Sequence, residues 1–175
     1  MGKMNLVLYF SAEKGKTAKI AKDLAERLEQ KSRKAQEIQE IQAEAGQEVA
    51  VIEIKPEVPY SPADLRYLNP LARCNKEKLL KKDIPISPET KESLNQLNWK
   101  DYDTVYLGFP IWYGGAPNVV SSFCKGLNWT GKKVHVFATS MTSGIGKTAE
   151  KLKPFLHGAE IVEAQRVKTA EEISI

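Results

Sequence analysis

Residues 5–19, NLVLYFSAEKGKTAK, constrain this chain more than any other stretch. Residues 6–10 are an unbroken apolar run of Val, Leu, Tyr and Phe, which predicts a strand buried on both faces. A polar turn follows over 11–16, and a helical pattern begins at Thr17. Strand, glycine-bearing turn and helix start form the arrangement with which open α/β sheets hold an anion. Free N–H groups of the first helical turn face the strand's carboxyl end there. The stretch therefore predicts an anion site on the hydroxyls and amides of Ser11, Gly15, Lys16 and Thr17, provided the rest of the chain supplies a sheet and a ligand.

The sheet is legible. Between 17 and 45 there is no Pro or Gly, and Ile20, Leu24, Leu28, Ala35, Ile38 and Ala45 fall near one helical face, with Gly46 as the stop. Such a helix would span ~40 Å, about twice a typical strand, so its second half should overhang the sheet or bend near Ser32. Residues 48–54 alternate as a second strand nearer the sheet edge. An interrupted helix is expected over 65–82, broken by Pro70, and a short one over 89–97. Strands follow at 103–109, 133–139 and 159–164, with helices between them at 117–127 and 147–156. A last helix barely begins at 170–175. Strands alternating with helices predict an α/β fold, a parallel sheet with helices on both faces, in a single domain over 1–175.

Composition narrows the partners. A net charge of +4 is mild and gives no support for nucleic-acid or membrane binding. No apolar run approaches the ~20 residues of a membrane span, and the first strand leaves no room for a signal peptide. Cys74 and Cys124 lie far apart with no CxxC spacing, so a reduced, cytoplasmic protein is expected. With no cluster of His, Cys and carboxylates, no metal is expected. His135 reads as a buried strand histidine, His157 as a helix-end residue and Cys124 as packing.

In a parallel sheet every strand-to-helix loop emerges at one edge, where ligands bind. The loops after strands one, three and four are the unusual ones. The first offers hydroxyls and amides; the second, Pro110, Ile111, Trp112, Tyr113 and Gly114, offers flat aromatics on a Pro/Gly frame; the third offers Thr139, Ser140, Ser143, Gly144 and Gly146. A phosphate cradle, an aromatic plate and a small-residue wall suit a planar heterocycle with one phosphate, a mononucleotide such as FMN. Two GKT triplets do not make a nucleotide triphosphatase: a G-x-x-x-x-G-K-[ST] loop would need glycine where Phe10 and Met141 stand. A receiver domain would need carboxylates where Ser11, Phe109 and Pro110 stand.

On these motifs the chain resembles the flavodoxin family. Tyr9-Phe10-Ser11 with Gly15-Lys16-Thr17, Gly108-Phe109-Pro110-Ile111-Trp112-Tyr113-Gly114 followed by Ala116-Pro117, and Phe137-Ala138-Thr139 with Ser143-Gly144-Ile145-Gly146 carry the likeness. The resemblance implies a three-layer α/β/α sandwich with strand order 2-1-3-4-5. It implies FMN held non-covalently, its phosphate at 11–18, which adds Lys14 and Ala18 to the anion site, and its ring between the second and third loops. It also implies electron transfer to a redox partner protein, or reduction of a small acceptor such as a quinone. Electron-carrying flavodoxins are typically strongly acidic, so the charge of +4 favours a reductase or a different set of partners. The chain departs from the family's pattern in three places. The loop SAEKGKT is one residue longer and carries Glu13-Lys14 in place of a hydroxyl, the first helix pattern is longer, and the last helix is nearly absent. The long helix and an apolar face left bare by the missing one predict a homodimer. The alternative from a different class is a flavodoxin-like assembly module that has lost tight FMN binding.

Overall fold

The computed structural model describes residues 4–12, 15–39 and 49–175. The opening apolar run forms β1 (Met4–Tyr9), and Leu6, Val7 and Leu8 are wholly buried, as a strand covered on both faces must be. It is joined by β2 (Val49–Glu53), β3 (Tyr102–Pro110), β4 (Lys133–Thr139) and β5 (Glu160–Arg166). All pairings are parallel and the order is β2-β1-β3-β4-β5, with Leu6 opposite both Ala50 and Val105. The expected order 2-1-3-4-5 is the order found, and the chain reverses direction across the sheet between β1 and β3.

Parallel neighbours need crossovers, and the crossovers supply the outer layers. One face is covered by α1 (Lys16–Gln39), whose Ile20, Leu24 and Leu28 pack with Val7, Tyr9, Tyr106 and Phe137. The other carries α2 (Arg73–Leu79), α3 (Pro88–Asn95), α4 (Asn118–Lys125) and α5 (Thr148–Leu152). Leu6, Leu107, Val136, Phe123, Trp129 and Leu152 close the core on that side. No helix among the described residues is long and apolar enough to cross a membrane.

Three differences from the sequence pattern have physical causes. Only Arg73–Leu79 of the segment 65–82 is α-helical. Upstream, Asn69 Oδ1 accepts from the Leu71 amide, and Asn75 Nδ2 donates to the Tyr67 and Asn69 carbonyls, so asparagine side chains hold that segment as turns. The first helix is described to Gln39; the expected continuation over 40–45 and its Gly46 stop lie outside the described residues. At the far end, 170–175 makes one 3₁₀ turn, Ala170–Glu172, capped reciprocally by Thr169 and Glu172. Arg27 on α1 donates to the carbonyls of Ala170 and Ile173, and both residues are buried against α1.

That turn changes the expectation of a bare apolar face. Ala170 and Ile173 complete the apolar cluster beneath α1, and a polar tile lies beyond them. Tyr106 stacks on His135 at 4.8 Å, His135 Nδ1 lies 3.4 Å from Glu163, and Ser174 Oγ donates to Glu163. Of the two grounds for a homodimer, the length of α1 is the one left, with Ile38 83% exposed near its end.

Candidate functional site

The carboxyl ends of β1, β3 and β4 are laced together by their first loop residues. The Phe10 amide donates to the Gly108 carbonyl at 2.9 Å, and the Ile111 amide to the Thr139 carbonyl at 2.8 Å. All three sequence-singled loops therefore leave from one edge, beside the point where strand order reverses.

In the first loop the Gly15 amide donates to the Ala12 carbonyl at 3.0 Å, and Gly15 takes a left-handed φ of 63°. Helical bonding starts at once, from the Lys19 amide to the Gly15 carbonyl. The amides of residues 16–18 precede the helix's own ladder. One of them, Ala18, donates to Ser11 Oγ at 3.2 Å, so Ser11 acts as a cap as well as a candidate ligand. Lys16 is exposed, whereas Thr17 is buried. Lys14 and Glu13 lie outside the described residues.

Thr17 Oγ1 meets Thr139 Oγ1 at 2.8 Å, both side chains being nearly inaccessible. This single bond ties the first loop to the third beneath the edge. Removing one hydroxyl strands the other in the interior, so Thr17→Val should cost about 1–2 kcal/mol in urea unfolding, and adding Thr139→Val should return most of it.

The second loop is a two-residue turn. Trp112 and Gly115 exchange both backbone hydrogen bonds, at 2.9 and 3.1 Å, while Tyr113 and Gly114 take φ of 51° and 67°. These are the left-handed values of a type I′ turn. Tyr113 gains nothing from that conformation by itself, and its surroundings hold it there. Lys151 Nζ donates to the Gly114 carbonyl at 2.9 Å, and the Tyr113 hydroxyl meets Cys74 Sγ at 3.6 Å.

Trp112 and Tyr113 play different parts. Trp112 packs edge-on to Phe10 (5.5 Å) and Tyr60 (5.4 Å), which also meet each other, so the indole is part of the wall. Tyr113 is 45% exposed and is the free aromatic surface. Behind them the Tyr60 hydroxyl donates to Glu77 at 2.5 Å, Arg73 bonds the same carboxylate at 2.6 Å, and the guanidinium lies 4.2 Å from the Tyr60 ring centre. Burial, then the bond to Glu77, pushes the Tyr60 phenol up; burial, then Cys74, does the same for Tyr113. Both phenols are neutral hydrogen-bonding groups at physiological pH.

In the third loop Thr139 is buried, while Ser143, Gly144 and Gly146 are exposed, and Ser140 Oγ donates to the Ser143 carbonyl. Arg166, at the end of β5, donates to the Ser140 and Met141 carbonyls, each at 3.2 Å. Its Nε and the Thr148 hydroxyl are buried polar atoms with no partner among the described residues. Gly144 and Gly146 have nothing within 4 Å of where a Cβ would stand. Of the supporting residues, Arg73 and Glu77 were readable as an i,i+4 pair on a helix. Lys151 and Arg166 carried no local signal.

Residues 29–172 match the family model described as flavodoxin. The chain belongs to the flavodoxin family. The matched stretch starts within α1, past the first loop. Among solved structures this flavodoxin is similar to a candidate flavoprotein from Bacteroides eggerthii, at 28% identity and TM-score 0.76, over 98% of this chain and 93% of that one. A second candidate flavoprotein, from Bacteroides uniformis, matches at 27% identity and TM-score 0.76, over 98% and 96%. A flavoprotein in complex with FMN from Lactobacillus acidophilus shares the fold at 19% identity and TM-score 0.60, over 94% and 93%. No curated protein matches the sequence.

Proposed function

We propose that this flavodoxin binds FMN non-covalently and acts in redox chemistry, reducing a small acceptor such as a quinone or passing electrons to a protein partner. The observation that carries the reading is the lacing of three loops at one strand edge, above all the Thr17–Thr139 bond that sets the anion-type helix start beside the glycine loop. The residues present fit the cofactor. Ser11 Oγ with the amides of Lys16 and Thr17, the two helix-start amides not already bonded within the loop, would take the phosphate, as helix starts do. Tyr113 on its Trp112 backing would take one face of the ring, and the loop from Thr139 to Gly146 its edge. The orphaned Thr148 hydroxyl and Arg166 Nε are polar atoms beside that loop, in keeping with an environment built for a polar ligand.

Bound FMN supplies the electron chemistry, and the chain supplies placement and electrostatics. The neutral Tyr113 phenol, turned to Cys74, presents its ring without charge. Lys151 holds the turn in its left-handed geometry, so the aromatic surface exists before any ligand arrives. The charge of +4 supports a small acceptor or an acidic partner over a basic one.

The absorbance spectrum of the purified protein, with and without added FMN, tests this. Flavin bands that are retained on the protein, or acquired with saturation on titration, are the expected result. A colourless protein that takes up no FMN would sink the proposal and favour the assembly-module alternative. NADH or NADPH oxidation with a quinone then separates reductase from carrier.

A further inference from the structure

Behind the aromatic turn, the end of α2, the chain just after it and the sides of α4 and α5 enclose a cleft of about 570 Å³. Its described lining holds five lysines, Lys78, Lys81, Lys82, Lys125 and Lys151, against one acid, Asp83. Asp83 is taken by Lys125 at 3.0 Å. Among the described residues no carboxylate pairs with Lys78, Lys81 or Lys82, and Lys151 donates to the neutral Gly114 carbonyl. Burial, and after it the charge of Lys151, hold the Lys78 ammonium below the ordinary lysine range. The fold therefore gathers like charges around a concavity and, among the described residues, leaves Lys78, Lys81, Lys82 and Lys151 without a carboxylate.

The arrangement is held rigidly. Asn118, at the start of α4, donates from its side chain to the Glu77 carbonyl at 2.7 Å and to the Lys82 carbonyl at 3.1 Å. It thereby clamps the lysine-bearing end of α2, where Lys81 takes a left-handed φ of 48°. A non-glycine residue is strained in that region.

The size of the cleft and its donor set identify the occupant. Small-molecule sites run from roughly 300 to 1,000 Å³, whereas a stable protein contact needs on the order of 800 Å² of surface from each partner. The lining contains five lysines, so it offers several compact ammonium charges, which hold phosphate oxygens as point charges. We propose that this cleft binds a small molecule bearing a diphosphate group. It lies against Gly115 and Lys151, so its occupancy would be felt at the aromatic turn, but the proposal does not rest on flavin binding.

Amide NMR of the ¹⁵N-labelled protein, titrated at fixed ionic strength with inorganic pyrophosphate and separately with ADP, tests it. Saturable shifts of the Gly115, Asn118 and Ser121 amides are expected, with a Kd below about 1 mM. The double variant Lys78→Gln/Lys82→Gln should weaken binding about tenfold and Asp83→Asn should tighten it about threefold. Lys153→Gln, outside the lining, should change nothing. Tighter binding of ADP would identify a nucleotide as the source, and equal binding the bare diphosphate; either supports the proposal. Absence of saturable shifts at those amides, shifts confined to residues 11–18, or binding of a polyglutamate peptide there in place of pyrophosphate would overturn it.

Discussion

Gly108→Val should lower the melting temperature by about 6–12 °C, the equivalent of roughly 3 kcal/mol in a domain of this size. Gly108 sits in β3 between Tyr9 of β1 and Phe137 of β4. A Cβ there would stand 2.1 Å from Phe137 Cζ and 2.2 Å from Cε2. The Phe137 ring cannot swing away, because it is wholly buried in the cluster that α1 closes. Either the ring leaves its rotamer or β3 shifts, and interiors packed at crystal density accommodate neither cheaply. A shift of β3 would also move the Gly108 carbonyl that receives the Phe10 amide, and so disturb the first loop. Thermal melting followed by circular dichroism checks the size of the drop. Phe137→Leu in the same chain should recover part of it, since contacting residues couple. A variant melting within about 2 °C of the parent would mean that the glycine is not required by the ring.

The strands were legible because each apolar run ends abruptly in a polar or Gly/Pro loop. KVHVFAT is the clearest case, its pattern bounding β4 at Lys133 and Thr139. The edge of the sheet was legible for the same reason: loop composition changes where a strand stops. What lay beyond reading was contact between distant positions. Trp112 read as part of a plate for a planar ligand and Phe10 as part of a strand-end motif, and only the fold sets them edge to edge with Tyr60. Thr17 read as a phosphate hydroxyl, yet its partner is Thr139. Tyr113 at positive φ contradicts its own propensity, and the residues that enforce it, Lys151 and Cys74, come from two other helices. The polar tile of Tyr106, His135 and Glu163 escaped notice because alternation marks which strand residues share a face and leaves open what covers that face.

Ser11→Asp should weaken FMN binding at least about a hundredfold while leaving the fold as stable as the parent. A carboxylate at position 11 can still accept from the Ala18 amide, and the helix dipole gains a favourable charge. The same carboxylate would stand where the phosphate reading places a dianion. At ~5 Å and an effective dielectric of ~20, each unit of like charge costs about 3 kcal/mol. Ser11→Ala removes one neutral hydrogen bond and should cost about 1 kcal/mol, less than tenfold in affinity. Riboflavin, which has the same ring and no phosphate, makes the comparison decisive. Its affinity should be nearly unchanged by Ser11→Asp, so the ratio of FMN to riboflavin binding collapses. Quenching of flavin fluorescence on titration measures both. If Ser11→Asp weakened both flavins equally, the loop would be shaping the ring site rather than holding the phosphate, and the anion role of residues 11–18 would fall.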